Sequence, residues 1–293
     1  MPDDRRNPYR QFTPELIGDY LRTRKVMSAE LFSLGKNNTN YKLKLSDGDV
    51  CVLRLYANSR ARREVYLVEF AAGLVPVPEE LYRGTDWAIF SFIEGQCLAE
   101  LPEYTGIAAE MINRLSSRTF RSAGDINPDG TVSAFPFGGI GDYIYQQLTT
   151  MAVRDWLGEK RTEEVFEIVA KNAPLYRELE SHACLVHGDF NPTNILIKNN
   201  QVSGILDWEY CHSGTPYMDL GNLLRHTPRK YHHDIELALV VSNNGLVEDW
   251  VRRSRMIDLT SQLEFLTSSR SDDFKCQCVG RINRFINDFS IVR

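Results

Sequence analysis

Hydrophobic and polar positions alternate in "YKLKL" (Tyr41 to Leu45), the period-two pattern of a strand with one buried face. "SDGD" follows, with Asp47-Gly48 as a turn signal, and "VCVLRLY" (Val50 to Tyr56) reads as the return strand of a hairpin. On this return strand Val50, Val52, Arg54 and Tyr56 share one face, so a cation sits in an apolar run and calls for a partner. From Ala61 to Ala72 the pattern turns helical. Ala61, Val65, Val68 and Ala72 fall on one face, with Gly73 as a C-cap and Pro76 and Pro78 beyond it. "WAIFSFIEG" (Trp87 to Gly95) predicts a further strand, and the rest of the chain is mainly helical by period, as in the stripe Met256, Leu259, Leu263 and Leu266. Between Arg121 and Gly141 the density of Gly, Pro and Asp predicts a long loop. A boundary near Gly95 therefore divides a small sheet-rich part, 1–95, from a larger helical part, 96–293.

A length of 293 residues fits two lobes or one large domain. The formal net charge of -5, with no long basic run, disfavours nucleic acid as a partner. "RRSR" (Arg252 to Arg255) reads as a solvated helix face. The charged "MPDDRRNPYRQF" has no apolar core, so no signal peptide is expected, and "LALVV" (Leu237 to Val241) is too short to span a bilayer. Of the cysteines at 51, 97, 184, 211, 276 and 278, only Cys276 and Cys278 are close, and neither they nor His232-His233 stand with further ligands at a metal spacing. Scattered thiols fit a reducing cytoplasm. No membrane partner is expected, and the chain should be a monomer or weak dimer.

The P-loop, the G-x-S-x-G elbow, H-E-x-x-H and G-x-G-x-x-G are all absent. What the chain does contain is "HGDFNPTN", His187-x-Asp189-x-x-x-x-Asn194, followed by Asp207 in "ILDWEY". Phosphoryl transfer to an alcohol needs one carboxylate to orient the hydroxyl and take its proton. It also needs an amide oxygen and a second carboxylate to hold Mg²⁺ against the nucleotide phosphates. Asp189 fits the first role, and Asn194 with Asp207 the second. "ILIKNNQVSGIL" supplies two apolar runs around an Asn199-Asn200 turn, a hairpin that returns Asp207 to Asn194.

This segment resembles the catalytic and metal loops of the aminoglycoside phosphotransferase and choline kinase-like family, which shares the two-lobed fold of protein kinases and their H-R-D-x-x-x-x-N and D-F-G patterns. The resemblance implies an α+β, bilobal protein-kinase-like fold, with a small sheet-rich N-lobe for nucleotide and a larger, mainly helical C-lobe for catalysis and acceptor. "GTPYMDLGNLL" resembles the family's following helix, in which Asp219 would brace the catalytic loop. "LGKNNTNYKLKL" looks like the nucleotide-covering turn, with Asn38 there. "VLRLY" corresponds to the strand carrying the phosphate-binding Lys, where this chain has Arg54. "RREVYLVEFAAG" resembles the helix whose Glu pairs with that cation, which points to Glu64. "FSFIEG" looks like the hinge, where backbone groups of Ser91 and Ile93 would bond the adenine.

The resemblance thus implies an enzyme moving the terminal phosphoryl of ATP (or GTP), with Mg²⁺, to a hydroxyl of a small, cationic acceptor such as an aminoglycoside. Asp258 and Glu264 are candidate acceptor-binding acids. Two alternatives stay open: a choline- or ethanolamine-type kinase, suggested by "LDWEY" and "DLGN", and a silent nucleotide-binding module. Glu209 reads either as a ligand for a second metal or amine, or as a solvated loop acid. His187 reads as structural.

Overall fold

A computed structural model describes residues 7–33, 37–58, 63–242, 246 and 248–290. The alternating segments pair as expected into an antiparallel sheet of β1 (Val26–Leu31), β2 (Thr39–Leu45), β3 (Val50–Leu55), β4 (Glu80–Arg83) and β5 (Trp87–Ser91), in the order β1-β2-β3-β5-β4. The β2–β3 turn closes on Gly48, whose φ of 94° suits a residue without Cβ, while the Asp47 carboxylate accepts from the Asp49 N–H. Leu43, Leu45, Cys51, Leu53, Leu55 and Ile89 pack one face of this sheet against Ile17 and Leu21. The period of two therefore turns Arg54 to the other face. There the helix Glu64–Ala71 presents Glu64 from its first turn.

Strand β5 stops at Ser91, short of the expected Gly95. Residues beyond it run against the hairpin Ile195–Lys198/Gln201–Ile205. A Cβ on Gly95 would lie 2.7 Å from Ser203 Oγ, and one on Gly204 2.7 Å from Ile93 Cδ1. Gln96–Cys97 then adds a third strand to that hairpin. The hairpin turn is made by Asn199 and Asn200 at φ 52° and 60°, the left-handed conformation that Asn tolerates and that matches strand twist. This docking explains why the chain forms two compact units that are not a simple N- and C-terminal division. One takes Met1–Leu101 together with Thr193–Tyr210, the other Pro102–Pro192 with Cys211–Arg293. The sequence boundary near Gly95 falls a few residues before the first break.

The second unit is mainly helical. Its strand Cys184–Val186 pairs with His212–Gly214 and leads directly into His187. Helices Tyr217–His226 and Trp250–Thr267 cross closely at Gly221, where a Cβ would stand 2.7 Å from the Ser254 carbonyl oxygen and 3.1 Å from Asp258 Cβ. Met256, Leu259, Leu263 and Leu266 are buried, as their stripe predicts. The expected loop at 121–141 carries structure of its own: a two-strand ladder, Asp125–Ile126 with Val132–Ser133, before a helix begins at Ile140. Ala61 and the Gly35-Lys36 part of the covering turn lie outside the described residues. Among the described residues no helix is long and apolar enough to cross a membrane.

Candidate active site

In the first unit, Arg54 is buried between two carboxylates. Its Nε lies 2.8 Å from Glu64 Oε2, and its Nη2 donates to Asp207 Oδ1. The other oxygen of Glu64 accepts from the Trp208 N–H at 3.2 Å, so one buried acid ties the cation to the segment that carries Asp207. Asp207 follows the hairpin with φ 69°, a conformation uncommon outside Gly and Asx residues. Its side chain is 31% exposed, whereas those of Arg54 and Glu64 are nearly closed off. Trp208, fully buried, anchors the turn by donating from Nε1 to the Ile205 carbonyl.

One guanidinium faces three carboxylates here, because Glu209 is also close. Burial opposes the charge of Arg54, but Glu64 and Asp207 more than offset it, so the guanidinium is held firmly protonated. Burial pushes the Glu64 carboxyl up, Arg54 pulls it back, and Asp207 and Glu209 push it up again. Glu209 is likewise raised, by burial first and Asp207 second. It is 4% exposed, which rules out the solvated-acid alternative. Its two oxygens accept from Asn37 Nδ2 at 3.1 Å each, and Oε2 also accepts from Asn38 Nδ2 at 3.4 Å. Asn38 in turn accepts from the Ala57 N–H through Oδ1, so it ties the β1–β2 connection to the end of β3.

In the second unit, Gly188 (φ 81°) lets the chain turn sharply after the strand that ends at Val186. His187 is fully buried; its Nδ1 accepts from the Asp189 N–H at 3.1 Å and its ring meets Phe190 edge-on. Asp219 braces this loop, accepting from the His187 N–H on one oxygen (2.8 Å) and the Gly188 N–H on the other (2.9 Å). Burial pushes the Asp219 carboxyl up to about 6, against the pull of His187 and the two N–H groups. Asp189 Oδ1 accepts from Asn222 Nδ2 at 3.3 Å. Asn222 was not among the sequence candidates, although its spacing of three from Asp219 puts both on one helical face.

Asp219→Asn should lower stability by about 1–3 kcal/mol in urea titration near neutral pH, since an amide supplies one acceptor and sets an N–H donor against the second backbone N–H. The pH dependence has a definite sign. A carboxyl raised from 3.8 in the unfolded chain to about 6 contributes stability that is complete below the unfolded value and is lost as pH rises through the folded one. Between about pH 4 and 6 that loss should be present in the native chain and absent from the variant.

Residues 28–253 match the sequence profile of the phosphotransferase enzyme family, known as APH. The chain belongs to this family. Among curated proteins it is 25% identical over 207 residues to acyl-CoA dehydrogenase family member 10 of Mus musculus, covering 64% of this chain and 19% of that protein. It is 22% identical over 228 residues to hygromycin-B 4-O-kinase of Escherichia coli, covering 71% of this chain and 62% of that one. The chain thus spans less than two thirds of either relative's length. Among solved structures, a thermostable mutant of aminoglycoside phosphotransferase APH(4)-Ia, in ternary complex with AMP-PNP and hygromycin B, superposes with TM-score 0.69 at 16% identity. That superposition covers 95% of this chain and 98% of the other, and shows the shared α+β, kinase-like fold.

Within this phosphotransferase fold the sequence candidates fall into two groups. Arg54, Glu64 and Asp207 meet directly in the first unit. Asn194 joins them through its carbonyl, which accepts from the Leu206 N–H at 2.8 Å next to Asp207. The Ser91 N–H is already bonded to the Glu79 carbonyl, and its hydroxyl accepts from the Glu79 N–H. The N–H of Ser91 is thus engaged within the sheet, which leaves its carbonyl for the hinge role; Ile93 is half-buried over Gly204. Asp258 is a correction: its side chain is only 15% exposed and is paired with Arg225, so it is not an available acid for an acceptor, whereas Glu264 is exposed. His233 is a surface residue, His232 bonds the Thr227 carbonyl, and the Cys276 thiol is exposed and free.

The donor set suits Mg²⁺. Among the described residues no three His, Cys, Asp or Glu side chains gather as a metal cage. Mg²⁺ prefers one or two protein oxygens completed by phosphates and waters, and Asp207 with Asn194 offers that number. The excess of carboxylates over cations around Asp207 favours added positive charge.

Proposed function

We propose that this family member transfers the terminal phosphoryl of ATP (or GTP) to a hydroxyl of a small, cationic molecule, with an aminoglycoside as the favoured class. The single observation carrying the reading is Arg54 held between Glu64 and Asp207. A buried cation on the middle strand, fixed by a helix acid and by the acid after the hairpin, is the arrangement that presents charge to nucleotide phosphates. Arg54 binds and orients those phosphates. Asn194 and Asp207 would hold Mg²⁺, which would neutralise charge on the transferring group. Ser91 and Ile93 offer backbone groups to the base, and Glu209 holds Asn37 and Asn38 in place beside it. Asp189, held by Asn222 and by its own backbone bond to His187, orients the acceptor hydroxyl and takes its proton. There is little covalent work for the protein; positioning and charge account for the rate.

The acidic chain and the exposed Glu264 favour a cationic acceptor. The amino-alcohol alternative keeps "LDWEY" and "DLGN" as its support, although Glu209 there accepts from Asn37 and Asn38. ADP release from MgATP, measured across panels of aminoglycosides, other antibiotics and amino alcohols, tests the reading. Release should rise severalfold with a hydroxyl acceptor and stay low without one, whereas a silent binding module releases none.

The two acids after the hairpin should separate cleanly in calorimetry of MgATP binding. Asp207→Asn removes a hard anionic oxygen, and affinity should fall sharply. Glu209→Gln loses an acceptor for the two Asn side chains and should cost far less. Equal losses would make Glu209 a primary metal ligand as well.

A further inference from the structure

Asp189 is connected to an enclosed ion pair that no part of the reaction requires. Asn222, 5% exposed, donates from Nδ2 to Asp189 Oδ1 at 3.3 Å. Its Oδ1 accepts from Arg225 Nη2 at 2.8 Å. Arg225 also donates to Asp258 Oδ1, and Asp258 Oδ2 accepts from Gln262 Nε2 at 2.8 Å. The side chains of Arg225 and Asp258 are 5% and 15% exposed.

An arginine has only donors, so the atom of Asn222 facing Arg225 must be the oxygen, and the atom facing Asp189 must be the NH₂. The ion pair thereby fixes which way round the amide stands. Asn222 then donates to a carboxylate, a bond stronger than one between neutral groups, and it occupies one oxygen of Asp189 in a set direction. The close helix crossing at Gly221 brings Arg225 within reach of Asp258, so the relay depends on packing between two helices.

We propose that Asn222, oriented by Arg225 and Asp258, is a positioning residue for Asp189: it holds the proton-accepting carboxylate in one rotamer with its second oxygen directed to the acceptor hydroxyl. The inference rests on the phosphotransferase reading above. It acts on the turnover step and not on nucleotide binding, whose candidate residues belong to the other unit.

The test is steady-state kinetics with MgATP and the best acceptor from the panel, on the full chain. Asn222→Leu removes the donor at similar volume; kcat should fall roughly ten- to hundredfold, as for loss of a hydrogen bond to a charged group. The KM for MgATP should stay within about twofold. Asn222→Asp keeps an oxygen toward Arg225, and hence the fold, but sets a carboxylate against Asp189; it should lower kcat similarly, and it decides the matter alone if the Leu variant does not fold. The double substitution Arg225→Met/Asp258→Leu removes both charges and should also lower kcat, yet add little on the Asn222→Leu background, because it acts through the same amide. The inference is overturned by kcat within about twofold of wild type in the folded Asn222 variants, by a KM for MgATP that rises in step with the loss of kcat, or by full additivity of the two sets. Absence of any acceptor turnover in the wild type would overturn the phosphotransferase reading itself, and this inference with it.

Discussion

Asp189→Ala should lower acceptor turnover by about 10²–10⁴ while leaving MgATP affinity nearly unchanged, the range for losing a positioned general base. The split is expected because Asp189 stands in the unit that carries no Arg54, Asn194 or Asp207. The substitution should also leave the fold intact. The loop around it is fixed by Asp219 through backbone N–H groups and by the fully buried His187, and Ala retains the backbone N–H that position 189 donates to His187 and the carbonyl that accepts from Asn191. Rapid-mixing or steady-state turnover with the identified acceptor, beside calorimetry of MgATP, checks both halves. A loss below tenfold would remove Asp189 from the role of base.

Arg54→Ala should weaken MgATP binding and destabilise the chain by about 3–5 kcal/mol, the cost of breaking a buried pair and leaving its partners uncompensated. Glu64, Asp207 and Glu209 would then face one another without their cation. Their repulsion is relieved when one binds a proton. Burial already holds Glu64 and Glu209 up, so the variant's deficit in stability should shrink as pH falls below neutrality. Arg54→Lys should recover part of both losses: an ammonium is a point charge and cannot reach Glu64 and Asp207 with the two arms of a fork. Thermal melts at several pH values and calorimetry of MgATP measure the two effects. An exposed strand charge would give changes within about 0.5 kcal/mol for either variant.

Much of this arrangement was legible in the chain because it rests on local signals. Asp47-Gly48 and Asn199-Asn200 set the two hairpin turns, and a period of two turned Arg54 away from Leu53 and Leu55. Reading the Asn199-Asn200 hairpin was enough to bring Asp207 back beside Asn194. What escaped the sequence depends on distant approach. Glu209 meets Asn37 and Asn38 across more than 170 positions of chain. The relay from Asp258 to Asp189 exists because Gly221 lets two helices come close: Arg225 stands one helical turn from Asn222, but Asp258, which holds it, lies 33 positions further on. Asp258 itself looked like a free acid, since an enclosed ion pair cannot be told from a solvated carboxylate by period alone. Strand β5 stops early because the following residues must lie flat on Gly204, a constraint supplied by a hairpin more than a hundred residues later.

The central claim is that this chain places a phosphoryl group on a hydroxyl and that Asp189 is required for it. Phosphorus NMR of MgATP with the best acceptor, using wild type and Asp189→Ala side by side, tests this most directly. The account predicts a new phosphomonoester resonance growing with ADP in the wild type, and no such resonance for the variant although it still binds MgATP. Formation of inorganic phosphate alone, or of the phosphomonoester at equal rates by both proteins, would contradict it.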